Sequence, residues 1–175
     1  MNTIQTITGA YFFFDEPEKH DYPIQEIAHA LSNLCRYTGH VRQFYSVAQH
    51  SVHVSEWVPM GMRMWALLHD ASEAYLGDVA SPLKRLLPDY KAIEHRVEQS
   101  IAASYGMPFP LPPEIKRADL QMLVTEQSQL MPDGPFDKHH WPDIEPLPIV
   151  IQPLSPRAAC DLFLRRYHEL KRQGH

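Results

Sequence analysis

The sharpest chemical signal in the sequence is the dipeptide His69-Asp70, set inside a helical pattern. Upstream stands His50 on a separate helical pattern, and far downstream Asp119, flanked by Ile115, Met122 and Leu123. Imidazole and carboxylate are suitable ligands for divalent first-row metals. Neighbouring residues on a helix point about 100° apart, so His69 and Asp70 share an ion only if it sits in a groove between helices. His50 and Asp119 from two further helices would complete a set of four, a normal way to build a metal site inside a bundle. A buried carboxylate without a partner is costly, and an ion answers the cost of a buried Asp and two buried His together. Each residue also has a plainer reading: His50 as a hydrogen-bonded core histidine, Asp119 as a salt-bridge partner for Lys116 or Arg117.

The elements that must position these residues are helices. Pro23 opens the first pattern, in which Ile24, Ile27, Ala28, Leu31 and Leu34 share one face. Arg36-Tyr37-Thr38-Gly39-His40 breaks it. Ser46 is the expected N-cap of a second helix through about Trp57, with Val47, His50, Val54 and Trp57 on its inner stripe. A third is expected from about Met62 to Tyr75, carrying His69 and Glu73 and stopped by Gly77. Ser81-Pro82 starts a short turn of helix, and Asp89 a longer one that Gly106 ends. Pro113 opens the helix holding Asp119, and Ser155-Pro156 caps the last. Residues 1–22 read as a short extended arm and a loop, with too brief an alternation to claim a sheet. Residues 132–154 hold six prolines and read as a long ordered loop, a candidate lid or interface element in which His139-His140-Trp141 is a possible contact. The expectation is one all-α domain over residues 1–175, a compact bundle of six or seven helices.

Composition bounds the function. At 175 residues, with 44% hydrophobic and 21% charged residues, the chain has the make-up of an ordinary globular domain. Sixteen basic against 21 acidic residues give a net charge of −5, which excludes a basic coat for a nucleic-acid polymer. No stretch approaches 18 consecutive apolar residues, and the N-terminus has no secretory pattern, so a cytoplasmic protein without a membrane partner is expected. Cys35 and Cys160 are too few for a disulfide scaffold and read as reduced thiols.

The stretch His69-Asp70-Ala71-Ser72-Glu73-Ala74-Tyr75-Leu76-Gly77-Asp78-Val79-Ala80-Ser81-Pro82-Leu83-Lys84 closely resembles the motif of HD-domain phosphohydrolases. Tyr45-Ser46-Val47-Ala48-Gln49-His50-Ser51-Val52 is similar to the upstream histidine motif, and Arg117-Ala118-Asp119 to the downstream aspartate motif. The likeness spans roughly residues 24–125. Its extended central text is similar to bacterial 5′-deoxynucleotidases and to small phage deoxynucleoside triphosphohydrolases, including those that act on dATP.

The resemblance implies a helical HD-domain bundle in which His50, His69, Asp70 and Asp119 hold one divalent transition metal: Zn, Co, Mn, Fe or Ni. It implies Glu73 as general acid/base and Asp78 as the group that orients water or protonates the leaving oxygen. Arg36-Tyr37 resembles the Arg-aromatic pair that contacts the nucleotide, although Trp or Phe is the commoner aromatic there. Lys84 is the best candidate for outer phosphate charge, with Lys116 and Arg117 as weaker ones. The expected activity is hydrolysis of a deoxynucleoside triphosphate, dATP for preference, to deoxynucleoside and triphosphate. Release of phosphate from deoxynucleoside monophosphates is the alternative, and a non-catalytic nucleotide-binding module the second. The expected partners are a small deoxynucleotide and further copies of the chain, as a homodimer or a multiple of it, with Tyr11–Phe14 and the Pro-rich loop as candidate contacts.

Overall fold

The computed structural model describes residues 2–134 and 143–174, so the His139-His140-Trp141 group lies outside the described residues. The fold is all-α, as the patterns require. The helices are α1 (Ile24–Asn33), α2 (Val47–Glu56), α3 (Arg63–Leu67), α4 (Glu73–Leu76), α5 (Ser81–Lys84), α6 (Pro88–Ser104), α7 (Pro113–Leu130) and α8 (Pro156–Arg172). The number exceeds the expected six or seven because the third predicted helix is two short ones, α3 and α4, separated by a tight turn over residues 68–72.

Helix α2 is the central element. It packs against α1, α3, α7 and α8, and Val47, Ala48, Gln49, His50, Ser51 and Val52 are all buried along it. A helix buried on every side belongs to the interior of its domain. Ser46 caps it, accepting from the Gln49 N–H at 3.2 Å, and Ser155 caps α8 in the same way. Trp57 departs from its expected place on the inner stripe. The helix stops at Glu56, and Trp57, as its C-cap, is 42% exposed.

The N-terminal arm is a short antiparallel hairpin, β1 (Thr3–Gln5) with β2 (Tyr11–Phe13), in the register Thr3↔Phe13, Ile4↔Phe12 and Gln5↔Tyr11. Three residue pairs cannot hold a hairpin in water. Tertiary packing does: Phe12 is fully buried against Tyr75, ring centroids 4.6 Å apart. The buried Glu26 carboxylate accepts from Thr6, Thr8, His20 Nε2 (2.7 Å) and the Tyr75 hydroxyl (3.2 Å). The hairpin is thus clamped onto α1 and α4, directly behind the turn that carries His69 and Asp70.

Candidate metal centre

The interruption between α3 and α4 builds the site. In a continuous α-helix the Ala66 carbonyl would accept from the Asp70 N–H. Here the His69 imidazole reaches that carbonyl, with Nδ1 to oxygen 2.8 Å. The turn tightens to i→i+3 bonds: Ala71 N–H to Leu68 O, Glu73 N–H to Asp70 O, and Tyr75 N–H to Ser72 O. At three residues per turn, side chains three apart lie over one another. Leu68 and Ala71 therefore enter the core together, Asp70 and Glu73 stack as a carboxylate pair, and His69 and Ser72 share a third side.

The same contact fixes the His69 tautomer. A carbonyl only accepts, so Nδ1 carries the proton and Nε2 keeps its lone pair. His50 is set the same way from another helix. Its Nδ1 lies 2.6 Å from Oε1 of Glu126, a fully buried residue of α7. The free nitrogens of both rings turn to one point. His50 Nε2 is 3.2 Å and His69 Nε2 3.9 Å from Asp119 Oδ1. Asp70 Oδ2 is 3.2 Å from His69 Nε2 and 3.7 Å from His50 Nε2. His50, His69 and Asp119 each offer one donor atom within 4.8 Å of the others. Two ligands at about 2.1 Å from one ion stand at most about 4.2 Å apart, so these separations suit a shared cation. Among the described residues both buried Nε2 atoms face only these aspartate oxygens, in poor hydrogen-bond geometry, and an ion between them would satisfy nitrogens and carboxylates together.

The electrostatics agree. Burial and the nearby Arg36 charge work against positive charge on His50, yet Glu126 and Asp119 outweigh them and hold the imidazole up at about 9, so an ion binding at Nε2 would displace a proton that faces Asp119. Burial opposes charge on Glu126 too, and Arg36 with His50 overcomes it and depresses the carboxyl to about 2. The cluster is built to neutralise positive charge at its centre.

Glu73 is different in kind. Burial first, then the charges of Asp70 and Asp78, push its carboxyl well above the usual range. Among the described residues its Oε2 has no hydrogen-bond partner, and its Oε1 is 3.8 Å from Lys84 Nζ. Burial also raises Asp78, against the pull of Arg36. Asp78 follows Gly77, whose φ of 80° and ψ of 157° lie in a region that only glycine enters freely.

The remaining sequence candidates surround this centre. Arg36 bridges the site, donating to Glu126 through Nε (3.2 Å) and Nη2 (2.9 Å) and standing 3.9 Å from Asp70. The Tyr37 hydroxyl meets Glu126 Oε2 at 3.1 Å and the Leu123 carbonyl at 3.2 Å. Tyr37, Thr38 and Gly39 form a left-handed turn with φ of 55°, 53° and 83°. Such a run costs about 1–2 kcal/mol per non-glycine residue, and the two side chains anchored on Glu126 hold it. Lys84 is paired with Glu94 at 2.6 Å. Lys116 is largely exposed and bonds Asp119 Oδ2 at 2.7 Å, so Asp119 has its expected salt bridge and its place at the centre together. His53 faces Glu56 at 3.5 Å, not the centre.

Glu126 is the site residue the motifs miss. It lies 76 positions from His50, outside every recognisable local pattern. One signal was available: Asp119, Met122 and Glu126 fall at i, i+3 and i+7, which puts a second acid on the same helix face.

Fold and site together define an all-α protein with a candidate metal centre of two histidines and at least one aspartate. No family model matches the chain. It is 43% identical over 175 residues to the uncharacterized protein YfdR of Escherichia coli K12, covering 97% of this chain and 96% of that one. It is 35% identical over 113 residues to an uncharacterized protein of Rhodobacter capsulatus, covering 59% of this chain and 58% of that one. The chain belongs to the YfdR family.

Proposed function

We propose that the protein is a metal-dependent phosphohydrolase of 2′-deoxynucleotides, of the HD-domain type. One observation carries the reading: two buried imidazoles, each with Nδ1 held by an acceptor, aim their Nε2 atoms at the same aspartates, beside the buried Glu73. A divalent ion (Zn, Co, Mn, Fe or Ni) held by His50, His69, Asp70 and Asp119 would polarise a phosphoryl oxygen and lower the pKa of bound water. Glu73 follows Asp70 by three residues, and burial pushes its carboxyl upward, which suits a group that holds a proton for transfer. Asp78, at the same wall, handles the leaving-group proton. Arg36 balances Glu126 and Asp70 and presents its remaining charge to the phosphate side.

The cations favour the monophosphate as substrate over the triphosphate. Lys84 already faces two carboxylates, Glu73 and Glu94, and Lys116 faces Asp119. Of the three cations expected for outer phosphates, Arg117 alone is exposed without such a pair among the described residues. The proposed product pair is a deoxynucleoside and orthophosphate. Assembly as a homodimer or a multiple of it belongs to the same proposal, supported by Tyr11 and Phe13, 57% and 41% exposed on the hairpin. Among the described residues no helix is long and apolar enough to cross a membrane.

Product analysis tests the reading. Each dNMP and dNTP is incubated with the protein and Co²⁺, Mn²⁺ or Zn²⁺, and products are resolved by ion exchange. Orthophosphate from dNMPs is expected, abolished in a His69→Ala, Asp70→Ala double variant. Tripolyphosphate from dNTPs would restore the triphosphate assignment. Full turnover in the double variant would end the metal reading.

A further inference from the structure

A cavity of about 410 Å³ opens on the third side of the 68–72 turn, where His69 and Ser72 line it. This lies within the range of roughly 300–1,000 Å³ for small-molecule sites. Its other walls are α6 and the connector to α7: Ile101, Met107, Phe109 and Leu111 are apolar, and Glu98 is the acid among them. His95 and Phe109 meet edge to face at its rim, centroids 4.9 Å apart. Apolar walls with one or two convergent polar groups are what a heteroaromatic ring requires. His69 belongs both to this cavity and to the metal centre, so the two adjoin at its ring.

We propose that this cavity receives the base of the nucleotide, and that Glu98 forms a two-point hydrogen-bonded pair with the base edge. The inference rests on the phosphohydrolase reading for the identity of the ligand. Among the described residues no hydrogen bond or ion pair occupies the Glu98 carboxyl, which leaves both its oxygens for a ligand. Burial first, and then the charge of Glu94, push it up to about 7, with Lys84 pulling the other way. A neutral carboxyl donates through one oxygen and accepts through the other. Adenine, cytosine, guanine and thymine each offer a donor beside an acceptor, and a carboxyl pairs with either order by turning over. The cavity therefore binds bases in general and does not select one.

Calorimetric titration of the full chain with 2′-deoxyadenosine and thymidine tests this without metal or turnover, so it stays readable if no nucleotide is hydrolysed. Saturable binding of both nucleosides is expected, with no competition from 2-deoxyribose. Glu98→Leu should weaken both by about 10-fold or more, because one face of the pair is lost. Leu111→Trp, which fills the cavity, should do the same, while Glu98→Gln, which keeps a donor beside an acceptor, should hold within about 3-fold. Nucleosides that fail to bind, or affinities that the Leu and Trp variants leave unchanged, would overturn the proposal. Hydrolysis that persists unchanged in those two variants would overturn it while leaving the phosphohydrolase reading in place.

Discussion

Glu126→Gln is the most informative single substitution. The carboxylate is fully buried and accepts four bonds: His50 Nδ1 at 2.6 Å, Arg36 at 2.9 and 3.2 Å, and the Tyr37 hydroxyl at 3.1 Å. A glutamine keeps one acceptor oxygen and turns an N–H₂ toward donors. Arg36 is then a nearly buried cation that has lost its nearest counter-charge and keeps only the more distant Asp70 at 3.9 Å. Removing one partner of a buried charge pair costs about 3–5 kcal/mol. For a chain of this size that lowers the melting temperature by roughly 6–20 °C. The second effect is on the ion. Without the carboxylate, the His50 ring loses both its tautomer and its orientation, and loss of such a partner lowers metal affinity about 10–100-fold. Thermal unfolding of metal-free protein reads the first effect. Competition with a chromophoric chelator, below the melting range, reads the second. Glu126→Asp keeps the charge and should fall between the two. A Gln variant that melts lower but binds metal as tightly as the parent would reduce Glu126 to a purely structural role. One unchanged in both would refute the reasoning.

Other outcomes follow from the same geometry. Glu73→Gln should lower phosphate release about 10²–10⁴-fold in steady-state assays while leaving metal affinity near the parent value, if Glu73 has the proton-transfer role proposed for it. Gly77→Ala should destabilise the protein by about 1–3 kcal/mol in denaturant titration and reduce turnover, because its φ of 80° strains any L side chain and Asp78 moves with it. Glu26→Gln should loosen the hairpin and cost about 1–3 kcal/mol, measurable by amide exchange at β1 and β2. Burial works against the charge on Glu26, but bonds from Thr6, Thr8 and His20 outweigh it and hold the carboxyl below 4.5. Its contribution is therefore whole above 4.5 and is lost as the pH falls through the folded value. Parent and Glu26→Gln melting temperatures should converge on the acid side.

The parts of the fold that local pattern specifies were legible in the sequence. Helix α1 buries Ile24, Ile27, Ala28 and Leu31 on the expected face, and Ser46 and Ser155 cap where their side chains predict. The break at 68–72 was not legible, because Leu68 and Ala71 keep the apolar rhythm of a helix while the His69 side chain takes a backbone carbonyl. The hairpin was missed for a similar reason. It depends on Phe12 meeting Tyr75 and on Glu26 reaching back to Thr6 and Thr8, contacts that a local window does not contain. Of the four expected ligands, His50, His69 and Asp119 come together as a group that could hold an ion. Less legible were the buried carboxylate behind His50, hinted at only by the i, i+3, i+7 spacing from Asp119, and the pairing of Lys84 with Glu94, which joins residues ten positions apart.

The most direct test joins metal content to turnover in one series. Metal-free protein is titrated with Co²⁺, bound ion is counted by mass spectrometry, and phosphate release from dAMP is recorded on the same samples. The account predicts release that rises in proportion to bound ion, levels at one ion per chain, and disappears with ion binding in the His69→Ala, Asp70→Ala variant. Phosphate release that is indifferent to chelation, or one bound ion per chain with no release from any deoxynucleotide, would contradict it.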